Sequence, residues 1–185
     1  MKMKLTKDNL RKASDHLFYE IWMMNRLASL LEGQNTSPFA SKPVGYTHTS
    51  VSSSFRRSTG VIISHSNVEE NDTLRVTNNA FIEAFGIHVR ALLHFFYSTG
   101  QDDDVVATHF FESPSVWGNS RPFKSKEDLQ KIKNRVNKEI AHLTYARQDV
   151  KSGVWPFTEI QNDLNRIVEV FKSQVSEELL GDRWQ

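Results

Sequence analysis

A chain of 185 residues carries 23 Lys and Arg against 22 Asp and Glu, a formal net charge of +1. That length fits one domain with a core of its own. The near-balance gives no general pull toward nucleic acid or an anionic membrane, and leaves room only for a local basic face. Cysteine is absent, which excludes disulfides, thiolate nucleophiles and cysteine-held metals.

The opening MKMKLTKDNLRKASDH is charged and lacks the apolar stretch of a secretory signal. No run approaches the roughly 18 apolar residues of a membrane span. The expectation is a soluble cytoplasmic protein with no membrane partner. Twelve Phe and four Trp enlarge the area that each core position can bury.

In chain order, a first helix is expected from about Thr6 to Glu32. Leu10, Leu17, Ile21, Met24, Leu27 and Leu31 recur there at helical spacings, and Gly33 follows as a stop. Residues 33–72 are rich in Ser, Thr, Pro and Gly and have no helical period. They are expected to form a surface excursion, partly mobile, with a short strand or extended arm in GVIISHSN. A second long helix covers about Asn78 to Ser98, apolar nearly all round and therefore central, with Gly100 ending it. QDDDVVATHFF reads as a short helix with an Asp as N-cap, and residues 112–124 as a loop holding Trp117 and Pro122. Ser125 and Asp128 resemble a capping box opening a helix over about 126–149. After SGVWPF, a last amphipathic helix carries Ile160, Leu164, Ile167, Val168, Phe171 and Val175 on one side. The whole reads as one all-α domain over residues 1–185, most simply an antiparallel bundle of four main helices and a short fifth.

The chemistry is sought in NRVNKEIAHLTYAR, residues 134–147. At about 100° per residue, Leu129, Ile132, Val136, Ile140 and Leu143 form a core stripe, while Arg135 and His142 line up roughly 110° away from it. Glu139 falls between, so Arg135, Glu139 and His142 make one polar edge; Arg147 projects onto the stripe itself. In the central helix, Glu83, Arg90 and His94 share a sector of about 40°. Buried charge is costly unless paired, so these three are expected to meet one another or the polar edge of the later helix. His88 points elsewhere, among Phe and Ala side chains.

Each feature has a plain structural reading beside the functional one. His88 reads as a core histidine with a satisfied partner. Glu83 with Arg90 reads as a buried ion pair. Arg135 and His142 read equally as a solvated helix edge with Glu139 nearby. A metal site is weakly supported: Glu139 and His142 make one Glu-x-x-His, but the second such pair and the further carboxylates of a di-iron bundle are missing. No cofactor is expected. Metal-free RNA cleavage needs a group titrating near neutral pH and a cation for phosphate, which His142 and Arg135 provide.

The Arg135-x6-His142 spacing in a late helix resembles the Arg-x(4–6)-His motif of HEPN domains. In that superfamily the motif helix often faces its copy in a dimer and forms a ribonuclease site in toxins and defence proteins; many other members are non-catalytic. The resemblance implies Arg135 on phosphate, His142 in acid–base chemistry and a possible homodimer. The polar residue common after the Arg is replaced by Val136. FIEAFGIHVRALLHFFY, DDDVVATHFF and NKEIAHLTYAR together also resemble a family of uncharacterised bacterial proteins over about residues 78–170. That resemblance supports a helical fold and points to His88, Arg90, His142 and Arg147. The readings that follow are a metal-independent ribonuclease with Glu139 orienting His142 and Glu83 with Arg90 in support; a non-catalytic nucleotide- or protein-binding module; or a structural homodimer.

Overall fold

The computed structural model describes residues 6–32, 68–122, 126–138 and 155–185. It is all-α, with no strand among these residues. Helix α1 spans Lys7–Leu31. Thr6 caps it, its hydroxyl accepting from the Asn9 amide at 3.2 Å, and Asp8 adds negative charge to the first turn. Leu10, Leu17, Ile21, Met24, Leu27 and Leu31 are all buried, as their spacing predicts.

Helix α2 spans Val68–Tyr97 and so starts ten residues ahead of the predicted Asn78. Residues 68–72, expected in the surface excursion, are helical; the rest of that excursion and its GVIISHSN segment lie outside the described residues. Ile82, Phe85, Val89, Leu92, Leu93, Phe95 and Phe96 carry α2 into the core, and α1 packs along it. Past α2 the chain turns at Gly100, whose φ of 77° is a conformation that a side chain would strain.

The predicted Asp-capped helix after this turn is instead a single 3₁₀ turn, Ala107–Phe110, preceded by extended Val106. The Asp that matters, Asp104, accepts from the Gln101 amide at 2.8 Å and so closes the turn before it. The expected loop over 112–124 contains a helix, α3, at Pro114–Ser120. Pro114 at its first turn is pre-set for helix rather than breaking one. α3 seats Trp117, fully buried, whose indole N–H donates to the Phe96 carbonyl at 2.8 Å.

Helix α4 covers Lys126–Val136, with Ile132 and Val136 on the core, and continues as a π-helical turn at 137–138. Ser125, Ile140 and Leu143 lie outside the described residues. Helix α5, Phe157–Gln174, buries Ile160, Leu164, Ile167, Val168 and Phe171, with Val175 just beyond its end. Phe171 sits among Phe95, Phe96, Phe110, Phe111, Trp117 and Trp184, at ring-centroid distances from 5.4 to 6.5 Å. Edge-on aromatic pairs add about 0.5–1.5 kcal/mol each beyond area burial.

Two short 3₁₀ turns, Glu177–Leu179 and Asp182–Trp184, then strap back over the first half of α1. Ser14, fully buried, is the anchor. Its hydroxyl accepts from the Gly181 amide at 2.6 Å, and its carbonyl accepts from the Trp184 indole at 2.8 Å. Lys7 pairs with Glu178, and Arg11 with Asp182, on the solvent side. A second tie joins α1 to α5: Asn25, Gln161 and Asn165 exchange side-chain amide hydrogen bonds of 2.8–3.0 Å.

Candidate functional site

Of the sequence-derived edge on α4, Arg135 is described. It is half-buried, with its guanidinium carbon 4.4 Å from the ring centroid of Trp155, itself 2% exposed. A cation over a buried indole gains about 1–2 kcal/mol and loses freedom of aim. The π-helical turn follows at once. A π turn departs from the 100° step on which Arg135 and His142 were projected. Glu139, His142 and Arg147 lie outside the described residues. The Asn137 carboxamide oxygen and the Trp155 indole nitrogen are buried and find no hydrogen-bond partner among the described residues.

The predicted sector on α2 is placed differently from expectation. Glu83 and Arg90 are exposed and form no ion pair with each other or with the described part of α4. The reason is geometric: their sector is the outward face of α2, so neither charge needs a partner to offset burial. His94 is tied to Asp104, its Nε2 2.9 Å from Oδ2. That contact and the Gln101 amide hold the Asp104 carboxyl below its usual range, the amide contributing most.

His88 is nearly buried, but it is not alone among apolar groups. Its Nδ1 lies 2.6 Å from Glu20 Oε2 on α1, and Tyr19 meets its ring edge-on at 5.9 Å. An N–H donated from Nδ1 to the carboxylate leaves Nε2 as the acceptor nitrogen.

Glu20 also borders a cleft of about 360 Å³ between α1 and α2. Leu17, Leu92, Phe95 and Val105 line it with apolar surface. Lys12, His16 and Glu20 stand along its α1 side, four residues apart and therefore on one helix face. Lys12 reaches Asp8 at 2.7 Å in a solvent-exposed pair, the kind that contributes little and exchanges readily. The cleft thus combines an apolar bed, a cation, an imidazole, and a carboxylate backed by a second histidine. None of Lys12, His16 and Glu20 was singled out in the sequence. The signal available was their i, i+4, i+8 spacing, which matches any solvated helix face.

Among the described residues no three His, Asp or Glu side chains converge as metal ligands would. No helix among them is long and apolar enough to cross a membrane. The chain matches no family model, no curated protein and no solved structure.

Proposed function

We propose that the chain is a HEPN-like helical binding module, and that a nucleotide sits in the α1–α2 cleft. The observation that supports this most is the ladder of Lys12, His16 and Glu20 beside an apolar bed. A concave apolar site with a few convergent polar groups is the usual form of a small-ligand pocket. Phosphate pairs with Lys12 and His16, the base lies against Leu17 and Phe95, and Glu20 accepts from a ribose hydroxyl or exocyclic amine. His88 holds the Glu20 carboxylate in place.

The test is calorimetric titration of the chain with the four ribonucleoside monophosphates. Micromolar to millimolar binding that weakens about tenfold in Lys12→Ala or His16→Ala supports the reading, since one charge-assisted hydrogen bond is worth about 1.5–3 kcal/mol. Binding that falls with added salt accords with phosphate contact. No heat with any of the four overturns it.

A second reading rests on α4. π turns recur at functional sites, and this one follows Arg135 directly, with Arg135 steadied on Trp155. On that reading Arg135 binds RNA phosphate and His142, oriented by Glu139, serves acid–base chemistry without a metal. Wild-type cleavage of RNA in EDTA, lost in folded Arg135→Ala and His142→Ala variants, supports it; no cleavage by the wild type sets it aside.

A further inference from the structure

Of the six exposed large apolar side chains among the described residues, five stand on α1 and α2: Tyr19, Trp22, Leu30, Val76 and Ile87. On α1 the first three, with Arg26 over the Trp22 ring, run down the side away from the core. On α2 the exposed positions Val76, Ala80, Glu83, Ile87 and Arg90 follow one another at intervals of four, three, four and three. That spacing puts all five on one face of the helix. Tyr19 meets the ring of His88, the neighbour of Ile87 in the chain, across the α1–α2 boundary. Val76 is 65% and Ile87 58% exposed, more than the other four of the six. Scattered single apolar residues need no explanation, but a row of them on adjoining helices marks an interaction face.

The charges on this face say what fits it. Glu83 lies four residues before Ile87 and Arg90 three after it. Two helical turns, about 10 Å, separate the two charges, too far for them to pair within one helix. A second α2 laid antiparallel across the first, with a two-fold axis beside Ile87, brings Glu83 of each copy next to Arg90 of the other. Ile87 then meets its own copy at the axis. A two-fold contact of this kind needs a self-complementary surface, and an opposite-charge pair placed symmetrically about an apolar centre supplies one. We infer that the outer face of α2, flanked by Tyr19 of α1, is the interface of a homodimer in which Glu83 and Arg90 pair reciprocally between copies.

Sedimentation velocity on the full chain tests this. The wild type is expected to be a dimer. Glu83→Arg alone and Arg90→Glu alone each turn both reciprocal pairs into repulsions and raise the dimer dissociation constant on the order of 100-fold or more. The double variant Glu83→Arg with Arg90→Glu restores the dimer, and Ile87→Glu abolishes it. All these positions are exposed on a helix, so unchanged circular dichroism shows that the fold is intact. A wild type that is monomeric at its highest soluble concentration overturns the proposal. So does a dimer indifferent to the single reversals, or a double variant no better than either single one. The substitutions lie outside the α1–α2 cleft, so nucleotide titration of the same variants reports on that site separately.

Discussion

At the scale of single residues, two titratable groups carry predictions with opposite signs. The Tyr97 phenol is pushed up to about 12, chiefly by burial, with Arg121 opposing and Asp163 reinforcing. Its hydroxyl donates to the Pro122 carbonyl at 2.8 Å, and Arg121 lies 4.8 Å over its ring. A folded value above the unfolded one means that the Tyr97 contribution is intact below the ordinary 10.0 and is lost as pH rises through about 12. Ultraviolet titration should show one phenol ionising late, and Tyr97→Phe should flatten the alkaline fall in stability while losing about 1 kcal/mol near neutral pH. Asp104 is held low, so its contribution is present above the ordinary carboxylate range and disappears as pH drops through its depressed folded value. Asp104→Asn should therefore flatten the acid limb of the denaturant midpoint plotted against pH, and release His94 at the same time.

At the scale of elements, the strap over α1 is the part most open to test. Ser14→Ala leaves the Gly181 amide without its acceptor, which should lower the unfolding free energy by about 1–3 kcal/mol. Trp184→Ala empties a buried aromatic site and should cost about 3–5 kcal/mol in urea unfolding. A Cβ at Gly181 would overlap the Asp15 carboxylate, which would have to swing aside. None of this strap was legible in advance: SEELLGDRWQ has no period, and its order comes from contacts with α1. By contrast α1 was legible to within a residue at each end, and the buried side of α5 was legible too, since their apolar positions recur every three or four residues along one side. The first ten residues of α2 were missed because VEENDTLRVT is polar and shows no stripe. α3 was missed inside the expected 112–124 loop because seven residues carry little periodicity; Pro114 at its first turn was the signal that could have found it.

At the scale of the whole molecule, Phe171 is the point where α2, α3, α5 and the strap meet. Phe171→Ala should therefore cost about 3–5 kcal/mol and loosen all four together, visible as a broadened thermal transition. The candidate site was harder to foresee than this core. Residue types on α2 suggested that Glu83 and Arg90 were buried, because their neighbours are apolar; the helix places that one sector outward, where charge is free of desolvation. His88 found Glu20, a partner 68 positions away that no local pattern announces. The polar edge of α4 was projected through a straight helix; of its residues Arg135 is described, and Glu139 and His142 lie outside the described residues.

The bond from Gly181 to Ser14 spans 167 positions of chain. Closing so long a loop is favourable only once the intervening helices are already compact, because the entropy of bringing the ends together must be met before the contact returns anything. The Trp184 indole, seated beside Ser14, is therefore a natural clock hand for the last stage of refolding: its fluorescence should settle after the far-ultraviolet helical signal, and proline-free as the strap is, without a slow isomerisation step of its own.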